Sequence, residues 1–368
     1  MQCPSAVKVG SIDHEEGIVD VQRLGLVIAF SLAAAPAAAE VYIDDLGREV
    51  EIDGIVERAV LFNRYELEFV RAVGAGDTVV GIPESIARDT ATYWPEYAEA
   101  AVVGANMQSP NYEAIVALDP DVVIMSRFGP YEEAIAQLAV FEIPLLVVTG
   151  ADSTLHEENV DLIGRVFGRS ERADELNGFY RHYRDLLTER LEGVEPVRVY
   201  FEETTDYGTV LEGSGWHDMV AIAGGVNVFG DMDISQRPTA AGNVNNHAID
   251  PEEVMARFPD FVVKLQRSTY SAQDEDARDL YPQHWSALAN RIDVLGTPAG
   301  EAGAVYLIDY YMAGGVSKVT GALQLAKWFH PELFADIDPE AVMREWIEDY
   351  QGVPFRDGLS YGGPEAIR

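Results

Sequence analysis

Arg127 and Arg267 stand at matching places in the chain. Arg127 follows the apolar run Val122–Met125 and precedes Tyr131; Arg267 follows the run Phe261–Leu265 and precedes Tyr270. A guanidinium presents a planar fork of donors, so two of them facing one space could grip an anionic ligand group bidentately. The competing reading for each is a salt bridge on a rim with a nearby Asp or Glu. Other segments that should follow strands carry aromatics and amides: Asn63-Arg64-Tyr65, Asn106-Met107-Gln108, Tyr207, Trp216, the stretch from Asn243 to His247, and Tyr310-Tyr311-Met312. Apolar ring faces with a few polar tips suit a bulky, partly flat ligand. Taken singly, each of these aromatics is better explained by core packing. The candidate ligand-binding set is Asn63, Arg64, Tyr65, Met107, Arg127, Tyr131, Tyr207, Trp216, His247, Arg267, Tyr270 and Tyr310.

Catalytic and bare-metal chemistries find less support. Ser214 lies near His217 in EGSGWH, but Glu212 and Trp216 stand where the glycines of a nucleophile elbow belong, so no catalytic residue is assigned. Beyond residue 39 the six histidines are scattered, with no His-x-His pair. The only cysteine is Cys3. No metal-ligating set and no resident cofactor are therefore expected.

The charge narrows the partners. The chain has 368 residues with 26 basic and 62 acidic side chains, a net charge of −36. Nucleic acid and anionic membrane surfaces both need basic patches, so both are excluded. Hydrophobic residues make up 48% of the chain, enough to build the cores of two ordinary domains.

The elements that must position these residues alternate. Val41 to Ile52 reads as a hairpin around Asp-Leu-Gly. Strands are expected at 59–62, 78–82, 101–103, 122–125 and 145–148, with helices at 65–73, 112–118 and 131–141 between them. After a long amphipathic helix from Ser170 to Gly193, with Ser170 as its N-cap, the alternation restarts. Strands are expected at 197–202, 261–265 and 304–309, and helices at 216–223, 252–258, 276–290, 319–329 and 339–350. Such alternation implies parallel sheets covered on both faces. The fold class is α/β: two Rossmann-like lobes with mainly parallel sheets joined by one long rigid α-helix, a rod of roughly 36 Å. The expected organisation is a signal peptide to residue 39, an N-terminal lobe at 41–168, the connecting helix at 169–193, a C-terminal lobe at 194–353 and a tail at 354–368. The signal is read from Arg23, the apolar run that follows it, and the small residues Ala37-Ala38-Ala39. The acidic segment before it points to a start assigned too far upstream. Glu40, not cysteine, follows the run, so no lipid anchor is expected and the chain is read as periplasmic.

One helix–break–strand unit is written twice. NYEAIVALDPDVVI begins at Asn111 and DPEEVMARFPDFVV at Asp250, 139 positions on (250 − 111), and they align without a gap at Glu113/Glu252, Pro120/Pro259 and Asp121/Asp260. Proline disfavours helix in the residue before it, so each helix stops there and a β-branched run enters the sheet. In parallel sheets ligands sit beyond the carboxyl ends of the strands, which places the candidates of both lobes around one gap.

With the segments AVGAGDTVVGI (72–82), PNYEAIVALDPDVVI (110–124), AGGVNVF (223–229), IDPEEVMARFPDFVV (249–263) and ALQLAKWFHPELF (322–334), the chain resembles class III substrate-binding proteins of ABC importers, which serve iron–siderophore, haem and vitamin B12 uptake. The resemblance runs from about Val41 to Val353. It implies small closure motions and docking of Glu113 and Glu252 on arginines of a dimeric inner-membrane permease, by a protein expected to be a monomer. It implies an Fe(III) chelate of siderophore type as ligand, with haem or a corrinoid as the alternative and a bare transition metal behind them. Haem would need axial ligands such as Tyr131, His247 or Tyr270, which spacing does not single out.

Overall fold

Two sheets, one parallel and one with a parallel centre, carry part of the candidate set beyond the carboxyl ends of their strands. The computed structural model describes residues 39–232, 244–270 and 277–364. The expected signal segment up to residue 38 lies outside them. No helix among the described residues is long and apolar enough to cross a membrane.

The chain opens with the expected antiparallel hairpin of β1 (Ala39–Ile43) and β2 (Glu49–Asp53). The first sheet has the order β5-β4-β3-β6-β7, all parallel, from β3 (Ala59–Leu61), β4 (Val79–Ile82), β5 (Ala101–Val102), β6 (Val122–Met125) and β7 (Leu145–Val147). Its helices are α1 (Arg64–Ala72), α2 (Glu84–Ala87), α3 (Tyr112–Ala117), α4 (Tyr131–Leu138) and α5 (His156–Val166). The connecting helix α6 spans Ser170–Leu191. Ser170 is its first helical residue rather than its cap: Arg169 occupies the cap position and no side chain caps the helix.

The second sheet has a parallel centre: β10 (Gly225–Asn227), β8 (Val197–Glu202), β12 (Phe261–Gln266) and β13 (Val305–Asp309). β9 (Gly208–Thr209), β11 (His247–Ala248) and β14 (Ser360–Tyr361) add antiparallel edges. β14 lies in the stretch expected as a tail, so that stretch pairs with the sheet. The covering helices are α7 (Gly215–Ile222), α8 (Pro251–Ala256), α9 (Tyr281–Ala289), α10 (Ile292–Leu295), α11 (Pro298–Ala302), α12 (Tyr310–Gly314), α13 (Val319–Phe329) and α14 (Pro339–Glu345).

The duplicated unit is duplicated in space. Asn111 caps α3 with its side chain on the Ala114 amide, and Asp250 caps α8 on the Glu252 amide. Both helices end on a left-handed residue, Asp119 at φ 47° and Phe258 at φ 47°. The Asp121 carboxylate then accepts from the Glu57 and Arg58 amides at 2.8 Å, and the Asp260 carboxylate accepts from the Arg198 amide at 3.0 Å. Arg58 donates to the Leu118 and Asp119 carbonyls, Arg198 to the Arg257 and Phe258 carbonyls. Each helix C-terminus, with its exposed carbonyls, is thus closed by an arginine from the neighbouring strand. The repeat therefore extends beyond the aligned segments to Arg58 and Arg198.

The lobes are fused by a shared core. The largest apolar cluster includes Leu67, Phe69 and Ile124 from the first half and Tyr311, Leu323 and Trp346 from the second. Polar ties cross as well: Arg71 donates to the Gln351 carbonyl at 3.2 Å, Ser317 Oγ to the Gly150 carbonyl at 2.9 Å, and Lys318 Nζ to the Ala151 carbonyl at 2.5 Å. An interface of this kind restricts relative motion of the two halves.

Candidate functional site

A cleft of about 670 Å³ lies where the carboxyl ends of both sheets meet. From the first sheet it takes Phe62, Asn63 and Arg64 after β3, Ser85 and Ile86 after β4, and Asn106, Met107 and Gln108 after β5. From the second it takes Glu203 and Thr204 after β8, Arg267 and Ser268 after β12, and Tyr310 and Tyr311 after β13. Asp89 and Trp94 complete the wall.

Arg64 is the unusual member. Its side chain is 9% exposed. None of its three guanidinium nitrogens has a hydrogen-bond partner. The nearest carboxylate, Glu68, stands 3.7 Å away. The guanidinium carbon lies 4.7, 4.4 and 4.2 Å from the ring centres of Tyr65, Tyr310 and Tyr311. Burial opposes its charge, but Glu68 and the tyrosines hold its pKa well above the usual range, so it stays a cation. Gly314 makes room for it: a Cβ there would fall 2.1 Å from Nη2. A buried donor left without an acceptor costs about 1–3 kcal/mol, more when charged. An oxygen-rich anion would satisfy these five donors, whose nitrogens are themselves buried.

The neighbours of Arg64 are held in place. Asn63 caps α1, accepting from the Tyr65 amide at 3.1 Å, and its amide nitrogen points to Met107 Sδ at 3.9 Å. Gln108 donates to the Phe128 carbonyl at 2.5 Å. Arg267 is exposed on the opposite lobe.

Five of the expected ligand residues therefore meet in the cleft: Asn63, Arg64, Met107, Arg267 and Tyr310. Tyr65 and Trp216 stand behind its wall. The Tyr65 ring lies 4.7 Å from Arg64 and 4.5 Å from Lys318 Nζ, and Trp216 packs edge-on to Tyr310 at 5.6 Å. The remaining five lie elsewhere. Arg127 forms an ion pair with Asp152 at 2.7 Å, the rim salt bridge that stood as its alternative. Tyr131 packs in the first lobe's apolar cluster. Tyr207 donates to Asp293 at 3.2 Å, with Arg291 over its ring. His247 is buried on β11, paired with Thr209. Tyr270 is fully buried, its hydroxyl accepting from the Arg356 amide at 2.9 Å and donating to the Pro354 carbonyl at 3.3 Å.

Sequence reasoning passed over Glu203, Thr204, Ser268, Asp89 and Trp94. The first three follow strands that were placed correctly, so the strand-end rule that selected Arg267 would have found them. Asp89 and Trp94 sit in a stretch without apolar periodicity and left no such signal. Ser214, weighed as a nucleophile, caps α7 through the Trp216 amide. Among the described residues no group of three or more His, Cys, Asp or Glu side chains is disposed to hold a metal ion.

Glu113 and Glu252 are both exposed, each in the first turn of its helix. The α3 start is pinned beside the end of β5, where the Asn111 amide donates to the Val103 carbonyl at 2.8 Å. The α8 start is pinned beyond the end of β8, where the Ile249 amide donates to the Tyr207 carbonyl at 3.0 Å. Both carboxylates thus belong to the strand-end side of their sheets, the side on which the cleft lies.

Comparison with known proteins gives a consistent result. A family model described as periplasmic binding protein matches residues 60–310. The molybdate-binding protein MolA of Haemophilus influenzae is 25% identical over 357 residues, covering 89% of this chain and 95% of the relative. A vitamin B12-binding protein of Yersinia pseudotuberculosis is 24% identical over 252 residues, 67% of this chain and 77% of the relative. Among solved structures, molybdate-bound MolA aligns with a TM-score of 0.66 at 23% identity, over 86% of this chain and 99% of that one. The TroA-like periplasmic binding protein FepB of Veillonella parvula aligns with a TM-score of 0.69 at 21% identity, over 87% and 99%. These likenesses show a common fold.

Proposed function

The chain belongs to the periplasmic binding protein family, and on that premise we propose that it captures an anionic metal complex in the cleft and delivers it to the permease of an ABC importer. The proposed ligand is an iron chelate of siderophore type. The observation that carries the anionic part is Arg64: a buried, charged guanidinium with no hydrogen-bond acceptor in the protein, on a residue of the cleft wall. Arg267 supplies a second cation from the other lobe. Asn63, Asn106 and Gln108 supply amide groups, and the half-buried ring of Tyr310 adds an apolar wall. A cleft of about 670 Å³ falls in the range of sites that enclose ligands of many heavy atoms.

A second reading is a bare metallate. It is favoured by the likeness to a molybdate-binding protein along 95% of that relative's length. A tetrahedral oxyanion would take the same two arginines and leave most of the cleft to water. For delivery we propose that Glu113 and Glu252, one per duplicated unit, engage basic sockets on the permease.

Native mass spectrometry of the protein purified from its own periplasm, with an absorbance spectrum of the same sample, tests the ligand. An anionic complex carrying iron is the expected mass. Molybdenum in a bare oxyanion would select the second reading. Haem or corrin bands, or a cationic ligand, would reject both.

A further inference from the structure

A second chamber of about 560 Å³ opens beside the cleft, within the second lobe. Thr204 and Arg267 line both spaces, so the two adjoin at these residues. We propose that this chamber is a subsite for an organic arm of the bound complex. The inference rests on the anionic-ligand reading above and adds to it what the ligand must carry besides charge.

The chamber is unlike the cleft in its charges. Lys264 Nζ is held at 2.5 Å by both Glu202 and Asp206. Arg291 is held by Glu202 at 2.8 Å and by Asp293 at 3.0 Å. Each of these cations is held by two carboxylates at 3.0 Å or less, whereas Arg64 meets only Glu68 at 3.7 Å, so the chamber adds no cation to Arg267 for gripping an anion. What it offers is an apolar wall of Leu280, Ala287 and Leu288, with Leu280 still 43% exposed. Beside it Gln266 and His284 are joined, Oε1 to Nδ1, at 2.8 Å. A neutral, partly apolar group with a hydrogen-bonding tip fits such a lining. Seated with its charged centre at Arg64 and Arg267, a complex would send that group past Thr204 into the chamber. A bare tetrahedral oxyanion has nothing to send there. The chamber is therefore where the protein would tell a chelate with an organic shell from a small inorganic anion.

Ala287 is exposed on α9, so Ala287→Trp fills the chamber without disturbing a core. Titration calorimetry with two probes, an iron(III) complex of a hexadentate tris-catecholate and sodium molybdate, reads the result. The wild-type protein is expected to bind the iron complex, and Ala287→Trp to bind it at least tenfold more weakly, with any molybdate affinity changed less than twofold and an unchanged melting temperature. Leu280→Asp, which places a charge on the same wall, is expected to act in the same direction. No binding of the iron complex by the wild type, or equal affinity in both variants, or an equal loss for molybdate, overturns the subsite. Arg64→Met separates the two ideas. If it keeps full affinity for the iron complex while Ala287→Trp loses it, the anion clamp fails and the chamber stands. If Arg64→Met loses affinity and Ala287→Trp does not, the chamber fails alone.

Discussion

Arg64→Met separates binding from stability in a way a core residue could not. Methionine keeps the length and apolar bulk of the side chain and removes the charge and all five donors. A charge-assisted hydrogen bond contributes about 1.5–3 kcal/mol. With Arg267 still in place on the other lobe, the expected loss of ligand affinity is about 2–3 kcal/mol, or roughly 30- to 150-fold. The effect on the fold should be far smaller. In the free protein the guanidinium makes no hydrogen bond and meets Glu68 only at 3.7 Å. Removing it relieves an unsatisfied buried cation but leaves Glu68, 1% exposed, with the Tyr93 hydroxyl at 3.0 Å as its hydrogen-bond donor. These two terms oppose one another, so unfolding in urea should change by no more than about 1 kcal/mol. Arg64→Met/Glu68→Gln, which removes both charges, should be at least as stable as the wild type. Calorimetric titration of the ligand identified in the periplasm and urea melts followed by tryptophan fluorescence measure the two sides. Unchanged affinity would refute the clamp. A stability loss above about 3 kcal/mol would show that Arg64 holds the fold together, and the inference from its missing partners would be wrong.

Three further outcomes are expected. Reversing Glu113 and Glu252 to lysine together should abolish uptake in cells while the affinity of the purified protein stays within twofold; undiminished uptake would remove both from docking. Glu66 is fully buried, and burial raises its pKa from 4.5 to about 8, with the Gly150 amide and Lys318 opposing. An acid whose folded pKa is raised stabilises most below its unfolded value, and that contribution is lost as pH rises from about 4.5 through 8. Glu66→Gln should therefore flatten the fall of the urea midpoint across that window and leave the variant more stable than the wild type at pH 8, and parallel curves for the two proteins would contradict the assignment. Phe258 holds φ 47° while 61% exposed, so Phe258→Gly should gain about 1 kcal/mol by removing left-handed strain at little cost in burial; a net loss would mean the ring packs better than its exposure suggests.

How much of the site could be read from the chain follows from what kind of signal each residue leaves. Val122–Met125 and Phe261–Gln266 announce themselves as buried β-branched runs, and both are central strands with fully or nearly buried side chains. Once the strands are placed, the residues after them are placed too, which is why Asn63, Arg64, Met107, Arg267 and Tyr310 could be expected beside the gap, and all five line the cleft. Position in the chain does not say which way a side chain turns at the strand end. Arg127 and Arg267 occupy equivalent places, yet Arg127 turns to Asp152 and Arg267 lines the cleft, because Asp152 lies within 2.7 Å of one and the second lobe offers the cleft to the other. Tyr270 failed for a related reason: a tyrosine two positions beyond a cleft serine was free to turn inward, and the apolar faces of Tyr93 and Tyr311, centroids at 5.2 and 5.4 Å, captured it. The hardest segment to foresee is Val316-Ser317-Lys318, three consecutive left-handed residues at φ 39°, 45° and 80° with no glycine among them. Local propensity argues against such a turn, and only tertiary contacts sustain it. Here those contacts are the two bonds to Gly150 and Ala151 across the lobes. Gly314, two residues before the turn, is the glycine that admits the Arg64 guanidinium. Local rules thus failed at the place where the second lobe reaches over to the first and packs against Arg64, the residue proposed to hold the ligand. Strain is found there because two demands meet on a few residues: closing the interface and leaving one cation without an acceptor.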